Sequence, residues 1–236
     1  MPQLETTKNL LASPSPLVVG VVSSAHTLAG ISQSTLSTVG CDLFELRLDM
    51  IDLPVDEIHT HAARLPLPVL ITARHPDEGG HGNLDSSRRL HLLDAHLDLA
   101  ALMDVELRSA LEMQPLIKKA KSRRVAVIGS FHDFNGTPSD EVLLGAVDMA
   151  LQFQFDAVKI ATTLRCPGDL ARLLRLLDGP KRLPLSVMGM GSLGRVSRIV
   201  LARCGSILNY GYLGESNATG QWSARKLKEL LAEAGD

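Results

Sequence analysis

A short apolar run, a polar turn and an amphipathic segment follow one another eight times along the chain. The apolar runs are rich in β-branched residues, which is typical of buried strands. The amphipathic segments carry apolar residues three and four positions apart, as helices do, most clearly over residues 170–177 and 225–234. The pattern predicts strands over residues 17–23, 42–48, 68–74, 101–107, 124–131, 156–161, 183–189 and 206–212.

The alternation of strands and helices predicts an α/β protein whose parallel strands are joined by right-handed crossovers. Eight such units in 236 residues fit a closed barrel better than an open sheet, because such barrels contain roughly 250 residues. We therefore predict a single-domain (β/α)8 TIM barrel over residues 17–236. Residues 1–16 lack the layout of a signal peptide and are predicted to form a flexible tail.

Lys159 lies in the middle of an apolar run, FDAVKIATT (155–163), where an unpaired charge is costly to bury. Alternate side chains of a strand share one face, and in a barrel one face meets the helices while the other lines the interior. Charged residues fall on the predicted interior face of five strands, and they are Glu45, Arg47, Asp49, Arg74, Asp104, Glu106, His132 and Lys159. Catalytic residues of such barrels lie at the carboxyl ends of the strands, so this repetition favours a functional lysine over one at an exposed sheet edge.

The predicted interior residues indicate a particular chemistry. Arginines near Lys159, together with partial desolvation, favour the neutral amine, which attacks a carbonyl carbon and forms a Schiff base. The iminium acidifies the neighbouring carbon, and His132 is suited to remove the proton released there. The arginines predict a substrate that carries a carboxylate, and Asp104 and Glu106 are interpreted as their charge partners. The residues therefore predict proton abstraction followed by elimination or carbon–carbon cleavage.

The composition argues against several other classes of function. With 3% aromatic residues, a net charge of −2 and one short basic stretch at 118–124, the chain is not predicted to bind nucleic acid. No apolar run reaches the roughly 20 residues of a membrane span. Cys41, Cys166 and Cys204 lack CxxC spacing and predict free thiols in a reducing cytoplasm. The histidines lack the spacing of a helical metal site, so no metal is predicted.

Six motifs, in order and with sensible separations, resemble the signatures of one enzyme family. They are FELRLD (44–49), RHPDEGG (74–80), SFHDF (130–134), VKIATT (158–163), MGMGSLGRVSR (188–198) and TGQ (219–221). Together they resemble type I 3-dehydroquinate dehydratase over about residues 17–225. The resemblance implies a lyase of the shikimate pathway of aromatic amino acid biosynthesis, which converts 3-dehydroquinate into 3-dehydroshikimate through a Schiff base.

The resemblance also implies roles for individual residues. Lys159 would form the imine, His132 would transfer protons in a syn elimination, and Glu78 would orient His132. The implied substrate-binding residues are Glu45, Arg47, Arg74, Arg198, Gln221, Asn217 and Ser23, with Arg198 on the carboxylate and Gln221 closing over the substrate. The family needs no metal or organic cofactor and is generally a homodimer, so the implied partners are the substrate and a second copy of the chain.

Two positions depart from the family pattern. Asn217 stands where a serine is common, with Ser216 beside it. Gly20 stands where the first strand often carries a serine, with Ser23 and Ser24 close by. Since asparagine still forms hydrogen bonds, we expect an altered affinity rather than lost chemistry.

Other interpretations of the same residues remain open at this point. A class I aldolase or another Schiff-base lyase would share the barrel and the lysine, although the number of arginines and the SFHDF histidine argue against it. A non-catalytic protein that binds a related ligand would account for Asn217 and Gly20. GMGSLG (189–194) matches a dinucleotide-binding fingerprint but lies late in the chain and lacks a well-placed acidic residue, so a tight loop that positions Arg198 is the preferred interpretation.

Overall fold

The computed structural model describes residues 10–31, 40–216 and 220–235. Within these residues eight parallel strands alternate with eight α-helices, as the sequence predicts. The strands are β1 (Leu17–Val22), β2 (Leu43–Arg47), β3 (Val69–Thr72), β4 (Leu102–Glu106), β5 (Ala126–Asp133), β6 (Ala157–Thr163), β7 (Leu185–Met190) and β8 (Leu208–Tyr212).

Each strand is followed by a helix that packs on the outside of the sheet. The helices are α1 (Ala25–Ile31), α2 (Val55–Ala62), α3 (Ser86–Ala95), α4 (Gln114–Ser122), α5 (Asp140–Gln152), α6 (Pro167–Asp178), α7 (Gly194–Arg203) and α8 (Ala224–Glu233). Asp85, Ser139 and Ser223 each accept a hydrogen bond from the backbone of the first turn of the helix that follows, which is how such residues start helices. No helix of the described residues is both long and apolar enough to cross a membrane.

The sheet order β7-β6-β5-β4-β3-β2-β1-β8 confirms the predicted barrel. Strands β7 and β8 bring the two edges together. Across this seam Ile207 N donates to Leu185 O at 2.9 Å, Ser186 Oγ donates to Leu208 O at 2.5 Å, and Val187 N donates to Ser206 Oγ at 2.9 Å. Two serine side chains therefore supplement backbone pairing where the barrel closes.

The inward-facing side chains change from apolar to polar along each central strand. In β3 the series is Leu70 then Thr72, in β4 Leu102 then Asp104, and in β5 Ile128 then Ser130. The apolar members form a packed floor at the amino-terminal end of the strands, whereas the outward-facing residues of the same strands pack on the helices. Polar groups are thereby concentrated at the carboxyl ends, above a floor that keeps water out.

The predicted flexible tail, residues 1–16, is described only from residue 10 onward. Leu10 is 9% exposed and packs with the apolar floor of the barrel, and Leu11 lies against the same cluster. This described part of the segment therefore contributes to the packing of the barrel.

Candidate active site

A cavity of about 140 Å³ opens at the carboxyl ends of the strands. Its volume resembles that of an engineered cavity of roughly 150 Å³ that holds benzene, so a six-membered ring fits its dimensions. Among its lining residues are eight that the sequence predicts, namely Glu45, Arg47, Arg74, Glu78, His132, Lys159, Arg198 and Gln221. The sequence therefore identified most of the side chains that the fold brings together here.

Lys159 projects from the middle of β6 into the barrel and is 4% exposed. Its Nζ lies 3.2 Å from Asp104 Oδ2 and 3.5 Å from Glu45 Oε1. The flanking inward residues are Ala157 and Ala161, both buried, which leave room for the long lysine side chain. A solvent-facing lysine at a sheet edge is thus excluded.

The arginines that the sequence predicts near Lys159 share its cavity. Two carboxylates are in contact with its Nζ, and Arg74 is itself engaged by carboxylates. Asp104, two strands away on β4, contacts both Arg74 and Lys159 and so screens the two positive charges from each other. The carboxylates of Asp104 and Glu45 therefore balance the positive charge of Lys159.

Arg74 is held by a buried polar network. Its guanidinium donates to Asp104 at 2.8 and 2.9 Å, to Glu106 Oε1 at 2.9 Å and to Ser130 Oγ at 2.6 Å. Burial acts to raise the pKa of Asp104, but the positive charges of Arg74 and Lys159 outweigh it and hold that pKa well below its usual range. The interpretation of Asp104 and Glu106 as partners of arginine is confirmed.

Glu106 extends this network to a residue that the sequence did not single out. Its second carboxylate oxygen pairs with Arg89 of α3, and both side chains are fully buried. Arg89 also donates to Ala73 O at 2.9 Å and to Ser109 Oγ at 3.2 Å. An ion pair without water contact thus joins the α3 helix to the strands that carry the site.

His132 and Glu78 form a hydrogen-bonded pair at the rim of the cavity. Glu78 ends the short 3-10 turn Pro76–Glu78, and its Oε2 accepts the His132 backbone N–H at 3.1 Å. The ring Nδ1 lies 2.8 Å from the same oxygen. When Glu78 is ionised its oxygens can only accept, so Nδ1 is then assigned as a second donor, which leaves Nε2 unprotonated for proton transfer.

Burial shifts both members of this pair away from their ordinary titration ranges. Burial, together with the positive charges of Arg74 and Lys159, lowers the pKa of His132 well below its usual value. Burial, reinforced by the negative charge of Glu106, raises the pKa of Glu78 to about 7. The imidazole is therefore neutral near pH 7, while Glu78 titrates there.

Arg47 and Glu45 lie on β2 beside the lysine. The Arg47 guanidinium donates to both oxygens of Asp49, at 2.9 and 2.7 Å, and to Gly79 O at 3.1 Å. Glu45 Oε1 accepts a hydrogen bond from Thr72 Oγ1 at 2.8 Å. Neighbouring groups thus fix both side chains at the cavity wall.

Arg198 is held by the backbone of the glycine-rich loop 189–194, which the sequence analysis interpreted as a tight loop, and by Gly220. Its Nη1 donates to the backbone carbonyls of Gly189, Gly194 and Gly220 at 2.8, 3.2 and 2.9 Å. A Cβ at position 220 would lie 2.4 Å from Gly191 O, so the two loops approach too closely for another residue. Burial lowers the pKa of Arg198 to about 10.

Two polar side chains of the cavity wall lack a hydrogen-bond partner among the described residues. They are Gln221 through Oε1 and Tyr210 through its hydroxyl. Tyr210 was missed from the sequence, although its inward position follows from the alternation of side chains along β8. Its ring covers the Lys159 ammonium at 3.9 Å from the ring centroid.

The remaining predicted positions fall outside this set of contacts. Asn217 lies outside the described residues. Ser23 is half-buried just beyond β1 and is not among the residues that line the cavity, whereas Val21 is. Gly20 faces outward, where a Cβ would lie 2.5 Å from Leu213 Cδ1 and 2.8 Å from Cys41 Sγ, so the neighbouring Val21 and not Gly20 lines the cavity.

A closed ring of parallel strands around a buried lysine, a histidine–glutamate pair and fixed arginines defines a (β/α)8-barrel enzyme. The family model of type I 3-dehydroquinase matches residues 18–236, and the chain belongs to this family. In the described residues no group of three or more histidine, cysteine or carboxylate side chains is arranged to hold a metal ion.

Named relatives agree with the family assignment. The 3-dehydroquinate dehydratase of Thermococcus onnurineus (strain NA1) is 32% identical over 223 residues, which are 93% of this chain and 99% of the relative. The chloroplastic bifunctional 3-dehydroquinate dehydratase/shikimate dehydrogenase of Arabidopsis thaliana is 33% identical over 94% of this chain, which spans 38% of that relative. The crystal structure of 3-dehydroquinate dehydratase from Geobacillus kaustophilus HTA426 superposes with a TM-score of 0.81 at 24% identity, covering 94% of this chain and 92% of that one.

Proposed function

We propose that this protein is a type I 3-dehydroquinate dehydratase, a hydro-lyase of the shikimate pathway that converts 3-dehydroquinate into 3-dehydroshikimate. The observation that carries the proposal is a buried lysine in the same cavity as a neutral histidine. Family membership and the names of the relatives support the same substrate.

The geometry supports a division of labour between Lys159 and His132. They lie on adjacent strands, with Lys159 paired to Ser130 and His132 two residues further on. Strands about 4.8 Å apart with a rise of about 3.3 Å per residue place their Cα atoms about 8 Å from each other. One small substrate can therefore contact both side chains.

In the proposed reaction Lys159 Nζ, after losing a proton, bonds to the ketone carbon and gives an iminium with release of water. The iminium draws electron density from the adjacent carbon, and His132 Nε2 takes the proton from it. The electron pair then expels the neighbouring hydroxyl, which leaves as water with the proton from His132, on the same face. Hydrolysis of the product imine regenerates the lysine.

The other cavity residues are proposed to bind and orient the substrate. Glu45, Arg47 and Arg74 would contact ring hydroxyls, Arg198 the carboxylate, and Gln221, whose Oε1 lacks a described partner, would accept a hydrogen bond from the ligand. Ser23 and Asn217 stay candidates for further contacts with the substrate. Glu78 would hold the His132 ring in the tautomer needed for proton transfer.

Incubation of the purified protein with 3-dehydroquinate tests the function, because the product is a conjugated enone that absorbs in the ultraviolet. We expect the absorbance to rise in proportion to enzyme concentration. A class I aldolase would cleave a carbon–carbon bond and yield no enone, and a non-catalytic binding protein would return the ligand unchanged. No absorbance change at any enzyme concentration refutes the proposal.

We further propose a homodimer located in the cytoplasm. Exposed thiols at Cys166 and Cys204 suit a reducing compartment. Val142, Leu144 and Met149 of α5 are 47, 49 and 40% exposed and would lose water contact if a second copy packed there. Sedimentation at several concentrations tests the assembly, and a monomer at every concentration contradicts it.

A further inference from the structure

The hydroxyl of Tyr210 is a buried polar group without a described function. The residue is 3% exposed, it lines the cavity, and its hydroxyl makes no hydrogen bond to any described residue. Leaving such a group unpaired is unfavourable, because folding removes its bonds to water without replacing them. A native site that retains an unpaired hydroxyl is a candidate for one whose partner arrives with the ligand.

The surroundings of Tyr210 place its ring against the reacting lysine. The Lys159 Nζ lies 3.9 Å from the centre of the tyrosine ring. Tyr210 also shares the cavity with Glu45 and lies near Asp104, and burial together with these two negative charges raises the pKa of its phenol well above 10. The phenol therefore stays protonated near pH 7 and can act as a hydrogen-bond donor.

A second aromatic residue on the same strand offers a contrast. Tyr212 lies two residues further along β8, is half-buried and is not among the residues that line the cavity. The distinction between the two tyrosines is therefore one of position relative to Lys159, not of residue type or strand.

Resting on the proposed function, we propose that Tyr210 Oη donates a hydrogen bond to the ketone oxygen of the substrate while Lys159 adds to the carbonyl carbon. As the nitrogen–carbon bond forms, the π electron pair of the carbonyl moves onto the oxygen, which then becomes a stronger acceptor. The phenol keeps its proton. The oxygen leaves as water with two protons that originate on the lysine ammonium, one of them relayed by His132, and the third remains on the iminium nitrogen.

This catalytic role can be distinguished from a structural one by removing the hydroxyl, which should lower activity and raise stability. In Tyr210→Phe the unpaired hydroxyl is removed while the ring over Lys159 is retained. The folded protein should gain stability, since no partner is lost, but the developing negative charge on the substrate oxygen loses its donor. A tyrosine that contributes packing alone would leave kcat/KM and the trapping rate unchanged in Tyr210→Phe, because phenylalanine retains the ring.

The experiment compares the wild type, Tyr210→Phe and the matched control Tyr212→Phe. Three quantities are measured: kcat/KM for 3-dehydroquinate, the single-turnover rate at which borohydride traps the lysine adduct, and Tm. We expect Tyr210→Phe to lose about ten- to a hundredfold in kcat/KM and in the trapping rate, the range for one hydrogen bond to a developing charge. Its Tm should rise by about 2–4 °C for a chain of this length. Tyr212→Phe should match the wild type in kcat/KM and trapping rate.

The outcomes distinguish this inference from the function on which it rests. A wild type that gives neither adduct nor product refutes the proposed function and this inference with it. An active wild type beside a Tyr210→Phe variant with unchanged kcat/KM refutes the inference alone. So does a variant that forms the adduct at the wild-type rate and is slow only afterwards, because the hydroxyl would then act on a later step.

Discussion

Replacing Glu78 with glutamine separates the charge of this side chain from its hydrogen bonds. Glutamine keeps an oxygen that can accept from His132 Nδ1 and from the His132 backbone N–H, both of which bond Glu78 Oε2 in the structure. It removes the negative charge that faces Glu106 and Asp104 as well as Arg74. The substitution therefore changes the electrostatics of the pair with little change of shape.

The expected effect on stability follows from the pKa of Glu78, which burial and Glu106 raise from 4.5 to about 7. A folded state that holds this proton more tightly than the unfolded state is penalised when the proton leaves. The penalty is absent below pH 4.5 and complete above pH 7, and at about 1.4 kcal/mol per pH unit it amounts to about 3 kcal/mol. Glu78→Gln should thus be more stable than the wild type by at most about 3 kcal/mol at pH 8, with no gain near pH 4.

Urea denaturation of both proteins at the two pH values measures this difference. His132 titrates in the opposite sense, because its lowered pKa removes stability as the pH falls, but it is present in both proteins and largely cancels from the comparison. A variant less stable than the wild type at pH 8 would show that the negative charge of Glu78 is favourable where it lies.

The same substitution predicts a change in the pH profile of catalysis. If the ionised carboxylate orients His132, wild-type kcat/KM should rise about tenfold per pH unit below pH 7 and level off above it. Glu78→Gln resembles the protonated form and should show a low, flat profile between pH 6 and 8. An acid limb retained near pH 7 in the variant would assign that titration to another group.

Two further substitutions test the buried network and the orientation of β1. Arg89→Met leaves Glu106 buried with one partner fewer and should lower the free energy of unfolding, measured in urea, by about 3–5 kcal/mol. Adding Glu106→Gln in a double variant should restore part of this loss. Additive losses in the double variant would argue against the ion pair. Gly20→Ala places a Cβ against Leu213 and Cys41 and should lower the free energy of unfolding by about 1 kcal/mol without changing KM. The control Gly145→Ala, at a helical position with no neighbour within 4 Å, should gain stability. A raised KM in Gly20→Ala would mean that position 20 faces the cavity.

The sequence could predict much of the fold because periodicity records which side of a strand each residue occupies. Glu45, Arg74, His132 and Lys159 all fall on the inward face of their strands, as their alternation with apolar neighbours indicates. The same rule explains why Gly20 faces outward while Val21 lines the cavity, because a shift of one residue moves a side chain to the opposite face.

Contacts between strands were harder to predict than positions along them. The pairing of Asp104 with both Arg74 and Lys159 depends on how side chains 30 and 55 residues away reach across the barrel. The bonds of Arg198 go to backbone carbonyls, which side-chain identity does not specify. Tyr210 follows the periodic pattern of β8, but an aromatic residue in a strand is more often part of the core than of a site. Its unpaired hydroxyl and its position over Lys159 distinguish it in the structure.

The central claim is that Lys159 forms a covalent bond to a ketone substrate. Its most direct test is borohydride reduction in the presence of 3-dehydroquinate, followed by intact-mass measurement and peptide mapping, with Lys159→Met as the control. We predict one reduced adduct per chain, located on Lys159, and none in the control variant. An adduct on another residue, or an unmodified protein that nevertheless turns over the substrate, would contradict the account.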